Sequence, residues 1–133
     1  MNSPYIAAKT FDHQIDCFCP DNDHSEVVTI HKGDIIDVTP ERKYSVINGW
    51  YVLVILNQRC SFYVAVEDLE WYFSKKQIVT MLDVDLQMNY YQYKINEALD
   101  DGDEESFMTF TEKMNDSNDL KEKWDMYVRN VTV

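Results

Sequence analysis

The residues best suited to chemistry lie close together near the N-terminus, in a stretch with the spacing His-x3-Cys-x-Cys-x4-His. The residues of this pattern are His13, Cys17, Cys19 and His24. Four nitrogen and sulfur ligands are the number that a tetrahedral zinc ion needs. Paired ligands of structural zinc sites are separated by two to four residues, however, and the Cys-x-Cys pair lacks that spacing. Zinc binding and ordinary burial or exposure both fit the pattern, and we favour the second, with no metal and no cofactor.

Catalysis by the same residues would need more than proximity in the sequence. A cysteine nucleophile requires a base and a third group that orients the base, and no such set can be recognised here. The chain has only three glycines and contains no phosphate-binding loop, serine elbow or dinucleotide fingerprint. The sequence therefore predicts a protein that is not an enzyme and has no catalytic residues.

A run of acidic residues occupies positions 100–105. It lacks the twelve-residue ligand spacing of a calcium loop. Gly102 can adopt the left-handed conformation that ends a helix, and Asp103 can cap the next one. Glu104 and Glu105 would then lie in the first helical turn, where the helix dipole favours negative charge. The run predicts a turn between two helices.

The formal net charge of −12 is spread along the whole chain. Residues 1–73 contain five basic and eleven acidic side chains, and residues 74–133 contain seven and thirteen. This charge would repel a phosphate backbone, which excludes nucleic acid as a partner. No apolar stretch approaches the roughly 20 residues of a membrane span, and residues 1–5 do not resemble a signal peptide. We expect a cytoplasmic protein with reduced thiols and no membrane partner.

The pattern of apolar residues changes near Ser74. Before it, β-prone runs at residues 27–30, 35–38, 50–56 and 61–66 are separated by turns at 31–34, 39–49 and 57–59. No stretch between these runs is long enough for a crossover helix, so residues 1–74 are predicted to form a small β-barrel.

After Ser74 the apolar residues recur every three or four positions, which indicates helices. One helix carries two stripes, the first with Val84, Met88, Tyr91 and Ile95 and the second with Leu86, Tyr90 and Tyr93. A second helix follows the acidic run, and a third is predicted to begin near Ser117 or Asp119. The predicted fold class is α+β, with a bundle of about three helices in residues 75–133 packed on the barrel as one cooperative unit.

Residues 26–36 (EVVTIHKGDII), 49–52 (GWYV) and 62–69 (FYVAVEDL) resemble a bacterial Src-homology-3-like barrel. The resemblance implies a diverging turn at Gly33 and a protein-binding fold. Peptide-binding members need a proline and a tyrosine where this chain has Ala65 and Asp68. Proline-rich peptides are therefore expected to bind weakly or not at all.

Residues 95–108 (INEALDDGDEESFM) resemble the IDEAL domain, a short helical hairpin of Bacillus-type bacteria. The resemblance implies a bacterial source and a helical hairpin, and it implies no chemistry. Asn96 stands where the family name has aspartate.

Aromatic residues are abundant, with nine tyrosines, six phenylalanines and three tryptophans. They could join the barrel to the helices, or they could form a surface for a partner. The candidates for a partner surface are Trp71, Tyr72, Tyr90, Glu104 and Glu105.

The sequence favours a non-catalytic module that binds another protein, and it does not indicate the oligomeric state. One alternative is an acidic mimic of nucleic acid that blocks a DNA- or RNA-binding protein. A second alternative is a small metal-binding protein or enzyme that uses the region from His13 to His24.

Overall fold

The computed structural model describes residues 3–16 and 26–131. The chain divides into two compact units, Met1–Val79 and Thr80–Val133. The change of pattern near Ser74 lies slightly before this division. Ile78 and Val79 belong to the first unit because they pair as a strand with Ile6 and Ala7.

The described part of the first unit contains seven strands and one helix, and the second contains two helices, so the predicted α+β class is confirmed. The elements are β1 (Ser3–Ala7), β2 (Phe11–Ile15), β3 (Glu26–Ile30), β4 (Ile35–Ser45), β5 (Gly49–Leu56), β6 (Cys60–Ala65), α1 (Val66–Ser74), β7 (Ile78–Val79), α2 (Met81–Asp101) and α3 (Glu104–Val131). Each of the four predicted β-prone runs lies in or overlaps one of these strands. The strands β1, β2 and β7 lie outside these four runs.

Five strands form one antiparallel sheet in the order β6-β5-β4-β1-β7. The strands β2 and β3 pair with each other as a separate two-stranded ribbon. The sheet is therefore not closed into a barrel, contrary to the prediction. Within the described residues, side-chain packing rather than a backbone ladder holds the ribbon on the sheet.

The core of the first unit lies between the ribbon, the sheet and α1. Alternation along β5 buries Val52, Val54 and Leu56, and alternation along β6 buries Phe62 and Val64. This period of two is the pattern expected for strands with one face on a core. Further buried residues come from β1, β3, β4 and β7, namely Ala7, Ile30, Ile36 and Ile78.

The hairpin formed by β4 and β5 differs most from the prediction. Residues 39–49 were predicted to be a turn, but β4 continues to Ser45 and the turn comprises only residues 46–48. The register of the ladder shifts between Val38 and Arg42. This irregularity accommodates Pro40, which has no amide hydrogen for the ladder. The β4–β5 hairpin is therefore long, and Pro40 lies within its first strand.

The second unit is a hairpin of α2 and α3. Thr80 and Asp83 form a capping box at the start of α2. Gly102 has a left-handed φ of 67° at the end of α2, and the Asp103 carboxylate accepts a hydrogen bond from the Ser106 amide at 3.1 Å. The predicted turn at the acidic run is confirmed.

The predicted break near Ser117 or Asp119 was wrong, because α3 continues from Glu104 to Val131. No glycine or proline interrupts this segment. Ser117 and Leu120 are both buried, so the helix keeps one face on its neighbour through the predicted break. No helix among the described residues is long and apolar enough to cross a membrane.

Replacing Ile78 by alanine should destabilise the first unit. Ile78 is 0% exposed, and truncation of a buried isoleucine typically costs about 2–5 kcal/mol. Ile47→Ala is the matched control because Ile47 is 84% exposed. Urea unfolding of the full chain should show a midpoint for Ile78→Ala that is much lower than that of the wild type. The midpoint for Ile47→Ala should be close to the wild-type value. Equal midpoints for the two variants would contradict the place of β7 in the core.

Candidate functional site

Among the described residues of the first unit, the end of the β4–β5 hairpin is the most exposed apolar surface, and we call it the hairpin tip. It consists of Tyr44, Val46, Ile47 and Trp50. At its apex Val46 is 91% exposed and Ile47 is 84% exposed. The rings of Tyr44 and Trp50 pair across the two strands with their centroids 5.1 Å apart. The tip therefore presents two aliphatic side chains above an aromatic pair.

The local sequence holds this tip in one shape. Ser45 pairs with Gly49 at the end of the ladder, and Gly49 has a φ of 86° that a side chain would disfavour. The Ser45 hydroxyl also accepts a hydrogen bond from the Asn48 amide at 3.4 Å. Turns favour small polar residues, so β-branched Val46 and Ile47 at the apex run against turn chemistry. Residues that break a local rule without a structural gain often mark functional sites.

Two cations flank the base of the hairpin tip. The Arg42 guanidinium donates hydrogen bonds to the carbonyl oxygens of Thr39 at 2.7 Å and Glu41 at 3.3 Å. The Lys43 ammonium lies 5.4 Å from the centroid of the Tyr63 ring. An otherwise acidic protein thus carries positive charge beside its apolar tip.

Among the predicted partner-binding residues, Trp71 is exposed on α1. The Lys75 ammonium lies 4.7 Å from its ring centroid. Trp71 lines an open depression of about 430 Å³, together with Glu67, Asp68, Glu70 and Ser74. This acidic aromatic surface is shallow, and it remains available to a partner.

Tyr72 has a different role from its neighbour. Its ring is half-buried and lies 4.7 Å, centroid to centroid, from that of Phe11. A 2.7 Å hydrogen bond joins the Tyr72 hydroxyl to Nδ1 of His13. Tyr72 is therefore engaged inside the first unit, and a role for it in binding a partner stays a prediction.

His13 is the most deeply buried ionisable side chain of the described ribbon, at 3% exposure. Its ring stacks on Phe62 with centroids 5.8 Å apart. Burial lowers the pKa of His13 below its ordinary value, although the nearby carboxylates of Asp68 and Asp16 act in the opposite direction. The ring is thus favoured in its neutral form, which suits a structural hydrogen bond.

Tyr51 adds a second buried hydroxyl to this region. It donates a hydrogen bond to Oδ2 of Asp16 at 2.7 Å. Burial and the bond to this carboxylate raise the pKa of Tyr51 to about 12. A phenol that stays protonated is a poor nucleophile or base at neutral pH. The Tyr51–Asp16 bond thus lies beside the His13–Tyr72 bond as a second side-chain hydrogen bond made by β2 or the residue after it.

The predicted zinc pattern is only partly within the described residues. His13 is held by Tyr72 and Phe62, whereas Cys17, Cys19 and His24 lie outside the described residues. Within residues 3–16 and 26–131, no group of three or more histidine, cysteine, aspartate or glutamate side chains could hold a metal ion.

The remaining predicted residues belong to the second unit. Tyr90 is exposed on α2, with its ring centroid 6.3 Å from that of Phe110. Glu104 and Glu105 are exposed in the first turn of α3, as predicted. A joint role of these residues with Trp71 stays a prediction.

No protein-family model, curated protein or solved structure matches this chain. Its function must therefore be inferred from its own residues and geometry.

The hairpin tip was missed because residues 39–49 were assigned to a turn. A signal was present in the sequence, since Val46 and Ile47 lie between the turn-forming residues Ser45 and Asn48-Gly49. Two adjacent aliphatic residues in a short turn have no core to enter, and they are expected to project into solvent.

The buried state of His13 predicts that acidification destabilises the first unit. The pKa of His13 is lower in the folded chain than its ordinary value of 6.5, so the unfolded chain binds the proton more readily. The free energy of unfolding should fall as the pH drops below about 6.5, and this contribution should level off below the folded pKa.

Urea unfolding of wild type and of His13→Gln between about pH 8 and about pH 5 isolates this effect, because the other ionisable groups are common to both. The variant should be less stable at high pH and lose less stability on acidification. Parallel pH profiles for the two proteins would show that His13 does not carry the effect.

Proposed function

We propose that this chain is a non-catalytic, cytoplasmic protein-interaction module that binds a partner protein through the hairpin tip. The observation that carries the proposal is the exposure of Val46 and Ile47, at 91% and 84%, on an ordered turn. Contiguous exposed apolar side chains of this kind mark interaction sites in soluble proteins.

The composition of the tip supports a protein partner. Interfaces are enriched in tryptophan, tyrosine and arginine, and a few such residues contribute most of the binding energy. Tyr44 and Trp50 already hold each other across the hairpin, so little side-chain freedom is lost on binding. The partner expected from this shape has an apolar recess for Val46 and Ile47. Acidic groups at the rim of that recess would complement Arg42 and Lys43.

We propose that the partner also contacts a second surface of this chain, the one around Trp71. The Trp71 ring is exposed among the side chains of Glu67, Asp68 and Glu70. Rim charges mainly change the rate of association and its salt dependence, whereas a buried aromatic anchor changes affinity. Trp71 would therefore contribute affinity, and the carboxylates would guide the encounter.

The two family resemblances are also part of the argument for an interaction module. Gly33 has a φ of 93° in the turn that the Src-homology-3 resemblance implies, and the turn at Gly102 is the one that the IDEAL resemblance implies. Ala65 precedes α1 and Asp68 is exposed in its first turn, so neither position supplies an apolar groove wall. We therefore propose a partner other than a proline-rich peptide.

The test compares a tip variant with a matched surface variant. The double change Val46→Ser with Ile47→Ser removes the apex, and Val27→Ser alters an exposed valine on β3. A partner captured from bacterial lysate by the wild type, and identified by mass spectrometry, is titrated with each purified variant.

The tip variant should bind at least about tenfold more weakly, since an interface anchor contributes about 2 kcal/mol or more. Val27→Ser should bind like the wild type. Thermal melts of both variants establish that each is folded. Unchanged affinity in a folded tip variant would refute the assignment of the tip.

A further inference from the structure

The helix α2 carries apolar side chains on two opposite faces. One face packs on α3 and includes the buried residues Val84 and Ala98. The other face carries four large side chains that are each more than half exposed, which we call the outer stripe: Leu82, Leu86, Tyr90 and Tyr93. Tyr90 lies at one edge of the stripe, and its ring centroid is also 6.3 Å from that of Phe110 on α3. At about 100° per residue, these four positions lie within one quadrant of the helix, opposite Val84.

An exposed stripe of this kind is unusual for a helix that already has a packed face. Its four residues extend over roughly 16 Å of helix, at about 1.5 Å per residue. Most surface helices are polar on the face away from the core, and a helix that is apolar on two sides is normally covered on both. Covering the outer stripe would therefore remove apolar surface from water.

The order of residues in the stripe indicates what covers it. The leucines lie in its N-terminal half and the tyrosines in its C-terminal half. If two copies of α2 meet antiparallel about a two-fold axis near Met88, Leu86 lies against Tyr90 of the second copy. Leu82 then lies against Tyr93 of the second copy, so each leucine faces a tyrosine.

The charges beside the stripe fit the same arrangement. Asp83 and Lys94 lie on the same flank of the outer stripe, about 20° apart in helical rotation. In an antiparallel pair equal flanks face each other, so Asp83 of each copy lies opposite Lys94 of the other. In a parallel pair opposite flanks face each other, so Asp83 does not meet Lys94 of the second copy, and leucine lies against leucine. Charge and size thus both favour the antiparallel pairing.

We propose that the outer stripe of α2 is the interface between two copies of this chain, which pair antiparallel about a two-fold axis. Two hairpins joined in this way form a four-helix assembly, a common solution for helices with apolar faces. Four large residues per copy make an interface smaller than the roughly 1,600 Å² of a standard complex. The dimer is therefore in equilibrium with monomer at micromolar concentration. This interface is separate from the hairpin tip and does not depend on it.

Sedimentation of the full chain from about 1 to about 300 μM tests the proposal in the concentration range of a weak complex. The apparent mass should rise from the monomer value of 15.8 kDa toward twice that value. Leu86→Glu should weaken association at least about tenfold, because it places a charge in the centre of the stripe. Leu99→Glu changes a similarly exposed leucine of α2 outside the stripe and should leave association unchanged.

The antiparallel register has its own test. Lys94→Glu should weaken the dimer because Lys94 faces Asp83 of the second copy. Glu97→Gln breaks the same 3.5 Å intrahelical pair of Lys94 with Glu97 and should leave association unchanged. Circular dichroism establishes that each variant keeps its helices. A monomer at every concentration, or a dimer that a folded Leu86→Glu leaves intact, would overturn the interface. Loss of the dimer in Leu86→Glu with no effect of Lys94→Glu would overturn the antiparallel arrangement.

Discussion

The packing of the β2–β3 ribbon on the sheet is the constraint on which the first unit depends. Within the described residues no backbone ladder joins the ribbon to the five-stranded sheet. His13 takes that role because its ring stacks on Phe62 of β6 and its Nδ1 bonds to Tyr72 of α1. One buried side chain therefore connects ribbon, sheet and helix. The His13 ring is neutral and hydrogen-bonded, so its burial in an apolar site leaves neither a charge nor this ring nitrogen without compensation.

This core leaves the β4–β5 hairpin free to project. The ladder continues past Pro40 through an irregularity, so the far end of the hairpin is ordered although it lies beyond the core. The binding that we propose rests on this projection and its aliphatic apex. The buried His13 and Tyr51 are committed to internal hydrogen bonds, and the exposed apolar residues carry no reactive group.

The second unit must also bury apolar side chains, and it does so with the two helices α2 and α3. A two-helix hairpin covers one face of each helix, and α2 has apolar residues on two faces. The core of the hairpin is correspondingly small, and its buried residues among positions 80–130 are Val84, Ala98, Ser117 and Leu120. A second copy supplies the missing layer in the arrangement that we propose, and its charge pattern selects the direction of the helices.

Local signals in the sequence determined the turn between α2 and α3 and at least part of four of the strands. Gly102 and Asp103 specify a turn through their own backbone and side-chain preferences, which act over a few residues. Strand β7 has only two residues and acquires its identity by pairing with β1, and β4 extends past Pro40 because β5 provides a partner. Trp71 and Tyr72 are adjacent and similar in type, yet one is exposed and the other bonds to His13, 59 positions away. Tertiary structure decided these features because burial depends on contacts between segments that are distant in the chain.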